Sequence, residues 1–153
     1  MSIFEAEAEP INFDPELELE KQGIPIQYLH LRDVLAAWDA ERCKVYCSIG
    51  LKRIQKRSAL CHELAHITLQ HNRCAYPDTA LRNVSTIAQE RSAELWAARR
   101  LINVVQLAAA QESGLPHSIV ARELGVTERM YRARLIAERE DERRWLGLEV
   151  SPD

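Results

Sequence analysis

Eleven residues, CHELAHITLQH from Cys61 to His71, hold three histidines and a glutamate. His62 and His66 are four apart. On a helix, four residues turn the chain by about 400°, so both imidazoles lie on one face a turn apart. Two ligands of one tetrahedral zinc require that bite. Glu63 then sits about 100° round the helix, beside the metal rather than on it. From there its carboxylate can take a proton from water held at the metal. The bland alternative is a helix with two ordinary histidines. Burial weighs against it, because core imidazoles need partners, and two beside a carboxylate are costly unless something binds them. His71 follows His66 by five residues, about 500° of helix. It need not face the same metal and reads as a helix-end or surface histidine.

Two histidines do not hold a zinc. A third ligand is needed, with the fourth position left to water, and it must return on another element. ERSAELWAARRLI, from Glu90 to Ile102, offers one. Glu90 and Glu94 are four apart on one face. Ala93, Ala97 and Leu101 repeat at four with Trp96 beside them, so small side chains let this helix approach the first. Glu90 can then ligate. Glu94, a turn later, can accept the N–H of a ligating histidine, which fixes its ring.

The elements that must carry these groups are readable from the apolar periods. Leu60, Leu64 and Ile67 form one stripe and Cys61, Ala65 and Leu69 an adjacent one, so the first helix, from about Leu51, is buried on much of its girth. It should end before HNRCAYPD, where Asn72 and Pro77 break it. A second helix is expected from Ile87 to Ile102, with Thr86 and Gln89 as a capping box. A third should run from Val104 to about Glu112, capped by Asn103 and closed by Gly114. The remainder reads as helix, tight turn at Gly125, helix. Upstream, IPIQYLHL (Ile24 to Leu31) suits a first strand. Val34 to Ile49 suits two short strands around the polar turn Asp39 to Arg42, with Val45, Cys47 and Ile49 on one face.

The chain has 153 residues, enough for one compact domain, and a net charge of −3. That charge points to neither a strong nucleic-acid binder nor a membrane-surface protein. No apolar run reaches the ~18 residues of a membrane span, and no signal peptide is read at the N-terminus, so a cytoplasmic protein is expected. Cys43, Cys47, Cys61 and Cys74 read as thiols rather than a disulfide framework. A second zinc site at Cys43, Cys47 and Cys74 lacks a fourth ligand, and small core cysteines are the favoured reading. Residues 1–20 carry seven carboxylates and no base, so residues 1–22 are expected to be a disordered acidic tail. Lys52, Arg53, Lys56 and Arg57 open the first helix against its dipole. A solubilising leader is the favoured reading of the tail and a solvated face that of the cations; the alternative is that the tail folds back on them as a modest, salt-sensitive brake.

VARELGVTERMYRARL compares with a DNA-binding helix-turn-helix: Ala121, Gly125 and Val126 fit its turn, and Tyr131 its core. Arg129, Arg132 and Arg134 would lie on the reading helix. Arg134, however, occupies a position that is normally apolar. Seven arginines against six acids over residues 122–144 are too balanced for phosphate binding. A structural or substrate-docking role is favoured over DNA binding.

HExxH followed some 24 residues later by Glu-x-x-Ala, an aromatic-Ala step and a Leu-Ile pair resembles the ImmA/IrrE family of small zinc metallopeptidases. The matching residues are His62-Glu63-Leu64-Ala65-His66, then Glu90, Ala93, Trp96, Ala97, Leu101 and Ile102. The resemblance spans most of residues 24 to 137 and none of the acidic tail. It implies a gluzincin-like α+β fold, mostly helical. A small antiparallel sheet would pack on the HExxH helix and a Glu-bearing ligand helix, with a helix-turn-helix-like C-terminal unit. It implies Zn2+ held by His62, His66 and Glu90, with Glu63 as general base. Glu94 stands where the wider group commonly has Asp, and Trp96 where Phe or Leu is more usual. Family members act inside bacteria, phages and mobile elements, cutting helix-turn-helix repressors to relieve repression. The expected organisation is a tail over 1–22, a peptidase core over 23–112 and a C-terminal unit over 113–146. The expected function is zinc-dependent cleavage of a repressor protein. The rival is a non-catalytic regulator whose zinc is structural and whose C-terminal unit binds DNA. Tyr76, His71 and Tyr131 are all candidates to stabilise an oxyanion, with none preferred.

Overall fold

The computed structural model describes residues 13–71 and 80–148. Among the described residues six helices and three strands follow one another as α1 (Pro15–Lys21), β1 (Ile26–Leu29), β2 (Ala36–Asp39), β3 (Lys44–Ser48), α2 (Arg53–Thr68), α3 (Ala80–Leu101), α4 (Val104–Ser113), α5 (His117–Leu124) and α6 (Glu128–Trp145). The fold is α+β and mostly helical, as expected. Among the described residues no helix is long and apolar enough to cross a membrane.

The acidic tail is corrected in its second half. Residues 15–21 form a helix rather than a disordered leader. Asp14 caps it by accepting from the backbone N–H groups of Glu16 and Leu17. Pro15 supplies a pre-set first position, and Glu16 and Glu18 suit the positive end of the helix dipole. Leu19 is fully buried, so the acids ride on an amphipathic helix. The expected attraction to the cations of α2 is realised by Glu16, 3.3 Å from Lys56, within a packed element. The rest of the tail, residues 1–12, lies outside the described residues, as does Cys74.

The sheet has the order β1-β3-β2. β2 and β3 are antiparallel around the expected turn, where the Asp39 carboxylate accepts from the backbone and guanidinium of Arg42. Those bonds hold the Asp39 carboxyl below its usual range. β1 pairs with β3 in parallel, so the sheet is mixed rather than antiparallel throughout. The chain passes from β1 over to the far edge and returns through the hairpin into the centre. Val45 and Cys47 are buried on one face as read, whereas Ile49 falls beyond the strand and is exposed.

α2 lies between two apolar clusters, which is why it carries two stripes. Leu60 and Leu64 pack with Leu19, Ile24, Val45 and Cys47 towards the sheet. Cys61 and Ala65 pack with Ala93, Ala97 and the helical layer. The small residues of α3 do allow a close approach, with the Cys61 thiol 3.7 Å from the Ala97 carbonyl. α3 begins at Ala80, earlier than read, and runs straight through Thr86. The expected capping box at Thr86 and Gln89 is therefore absent. No Pro or Gly lies between Ala80 and Thr86 to force the break in dihedrals that a cap needs. α4 is capped by Asn103 and closed by Gly114 in the left-handed conformation, as expected.

Gly125, also left-handed, turns α5 into α6. The unit they form is fastened to the core at three places. Arg57 donates to the carbonyls of Phe13, Leu124 and Gly125. Ser58 Oγ accepts from Thr127 N–H. Arg134, anomalous in a DNA-reading helix, is buried and donates to the Ile102 carbonyl at 2.7 Å. It serves the carbonyl end of α3 instead of an apolar core.

Candidate metal centre

α2 presents His62 and His66 one turn apart on the side facing α3. Their ring centroids are 4.8 Å apart and nearly perpendicular, and their Nε2 atoms are 3.2 Å apart. Glu90, from α3, completes a triangle. Its Oε2 lies 2.6 Å from His62 Nε2 and its Oε1 3.2 Å from His66 Nε2. Donors around a tetrahedral zinc with bonds of about 2.0–2.1 Å stand roughly 3.3 Å apart. Two edges of the triangle match that separation. The third edge is 2.6 Å, so a retreat of one carboxylate oxygen by some tenths of an ångström would open it to the same size. Two imidazole nitrogens and a carboxylate are also the donor set that suits zinc. The His66 side chain is fully buried, whereas 20% of the His62 side chain and 36% of the Glu90 side chain meet solvent. The cluster is thus anchored at His66 and open on the side of the other two.

Glu63 is almost fully buried, and its carboxylate comes within 4.8 Å of both imidazole donors. Its Oε1 accepts the backbone N–H of Trp38 at 3.0 Å. Ser48 N–H donates to the Leu35 carbonyl, so residues 35, 37 and 39 turn their backbone groups to β3. Ala36 and Trp38 turn theirs to the outer edge of the sheet. β2 is an edge strand of the sheet among the described residues, and its outer side gives the Trp38 N–H to Glu63. No side chain signals this contact, and sequence reasoning missed it.

Two expected roles move. Glu94 does not meet a histidine; its Oε1 lies 2.6 Å from Arg129 Nε. A turn along α3 carries it past the imidazoles and towards α6. The second ring nitrogen of His66 is met instead by His71, Nδ1 to Nδ1 at 2.9 Å. α2 ends with Gln70 N–H donating to the Ile67 carbonyl and His71 N–H to the His66 carbonyl, with Gln70 left-handed at φ 57°. This is a Schellman turn, and it folds the chain back so that His71 returns over the helix it has just left. A spacing of five along a continuing helix would have pointed it elsewhere.

Cys61, next to His62, faces the α3 backbone, and burial pushes its thiol up to about 12. It supplies no thiolate to the cluster. Cys43 is exposed in the hairpin turn and Cys47 is buried, and among the described residues neither belongs to a metal-capable group. Tyr131 is buried against His117 on the C-terminal unit. Tyr76 lies outside the described residues.

The IrrE N-terminal-like domain, a peptidase family, matches residues 38–136. That span begins in β2, at the residue that holds Glu63, and ends within α6. A search of curated proteins finds no match.

Proposed function

Because the chain belongs to the ImmA/IrrE family of peptidases through its IrrE N-terminal-like domain, we propose that it is a zinc-dependent endopeptidase. His62, His66 and Glu90 are its metal ligands and Glu63 its general base. The observation that carries this reading is the closed triangle of Nε2, Nε2 and carboxylate, with the Glu63 carboxylate held beside it. Zinc, when bound, supplies a Lewis acid that acidifies water and polarises a carbonyl.

The chain's own residues supply the rest. Trp38 N–H holds the Glu63 carboxylate at Oε1, and that carboxylate takes the proton from the attacking water. From there it passes to the leaving amine nitrogen as the C–N bond breaks. The outer edge of β2 offers the N–H and carbonyl of Ala36 and the carbonyl of Trp38 to an extended peptide, which can add as a strand. An extended segment of a protein, rather than a folded surface, is therefore the form in which substrate reaches the site.

The family resemblance makes a helix-turn-helix repressor of transcription the substrate we favour. The rival regulator, with structural zinc and a DNA-reading α6, has less to support it. Arg129 and Arg132 are engaged by Glu94 and Glu128, and Arg134 is buried. The further carboxylate beside the triangle, Glu63, accepts the Trp38 N–H, which suits a base beside the metal better than the fourth ligand of a structural site.

Glu90→Ala should weaken zinc binding at least as much as loss of an outer-shell partner does, about 10- to 100-fold. Glu63→Gln keeps an oxygen for Trp38 N–H. It should hold zinc as the parent does while peptide cleavage falls by roughly 10²–10⁴-fold. A Glu63→Gln variant that still cleaves at the parent rate would remove the catalytic reading. Unchanged zinc affinity in Glu90→Ala would remove the third ligand.

A further inference from the structure

We propose that His71 is a positioning residue of the metal centre, accepting the Nδ1–H of His66 so that His66 Nε2 is presented to the metal. The inference rests on the zinc reading above. An imidazole that ligates through Nε2 must carry its proton on Nδ1, and that proton needs an acceptor because His66 is fully buried. His71 Nδ1, at 2.9 Å, is the atom in place. His71 then carries its own proton on Nε2. The two rings stand 5.1 Å apart at 62°, an edge-on approach that brings nitrogen to nitrogen.

His71 cannot also be a ligand of the same metal. It meets the far edge of the His66 ring, while His62 and Glu90 meet the near edge. Its place is set by the end of α2. Gln70 is held left-handed, a conformation that disfavours a residue with a Cβ, and the turn so formed returns the His71 ring to His66. Metal-binding histidines commonly give their second N–H to a carboxylate or a carbonyl. Glu94, the carboxylate a turn beyond Glu90, is instead taken by Arg129.

The test compares two substitutions of nearly equal size in the full-length chain. In His71→Asn the side-chain oxygen can occupy the place of Nδ1 and accept the same proton. His71→Leu offers no acceptor. Zinc affinity is read by chelator competition and the melting temperature of the metal-free protein by circular dichroism. The absorption spectrum of the cobalt-loaded form reports the ligand field. His71→Leu should bind zinc about 10- to 100-fold more weakly and shift the cobalt spectrum. His71→Asn should recover most of the affinity and the parent spectrum, with both metal-free melting temperatures close to the parent's. Equal affinity for parent and His71→Leu would overturn this inference alone, as would equal losses in both variants. A parent chain that binds no zinc would overturn it together with the zinc reading.

Discussion

Arg57 joins three segments that are distant in sequence, so its replacement tests how α2 is held to the rest of the fold. Its guanidinium donates to Gly125 O at 2.9 Å, to Phe13 O at 3.1 and 3.3 Å, and to Leu124 O at 3.3 Å. Burial draws the Arg57 pKa below its ordinary value, the sign of a cation retained for its hydrogen bonds rather than for solvation. Arg57→Met keeps most of the aliphatic stem and removes every donor. Hydrogen bonds from a charged group are worth roughly 1.5–3 kcal/mol each. Taking the lower figure for the two shortest contacts, and little for the longer ones, gives a loss of about 3 kcal/mol. At ~2–4 °C per kcal/mol for a chain of this size, the melting temperature should fall by about 6–12 °C. The assay is thermal and urea unfolding of the metal-free protein followed by circular dichroism. Zinc affinity is measured alongside and should stay near the parent's, because Arg57 lies more than a helical turn from His62. A loss below about 1 kcal/mol would mean that water serves these carbonyls as well as the guanidinium does, and the staple would be refuted.

Two further outcomes follow from groups outside the metal cluster. Arg129→Ala with Arg132→Ala should change stability by no more than about 1 kcal/mol, since exposed ion pairs contribute little. Neither the parent nor the double variant should shift DNA at physiological salt, and a salt-dependent shift abolished by the substitutions would restore the regulator reading. Burial raises the Cys61 thiol from 9.0 to about 12, so the folded chain keeps a proton that the unfolded chain releases. Stability present below pH 9 should therefore fall as pH rises from 9 towards 12. Cys61→Ala should flatten that slope in alkaline urea titrations; an unchanged slope would place its origin in other groups.

Much of this centre was legible in sequence order, and the reason is helical geometry. A spacing of four puts two imidazoles on one face whatever surrounds them, and two apolar stripes require burial on two sides. His62, His66, Glu63 and the small-residue face of α3 needed no further information, and neither did Asn103, Gly114 or Gly125, whose roles are set by local dihedrals and donors. Other features depended on where the chain comes back in space. The acids of residues 15–21 looked disordered by composition, but Leu19 found a cavity between α2 and the sheet, and burial outweighed the charge. Glu94 looked like the partner of a ligand until the position of α6 placed Arg129 closer. His71 looked like a bystander because its spacing was counted along a helix that in fact ends at Thr68, and a left-handed Gln70 turned it back. The bond from Trp38 to Glu63 involves a backbone N–H, a group every residue but proline possesses, so only the packing of the sheet edge on α2 could select it. Residue identity and local period decide which groups can do chemistry. Which atoms hold those groups in place is decided by contacts between segments far apart in the chain, to which no local pattern refers.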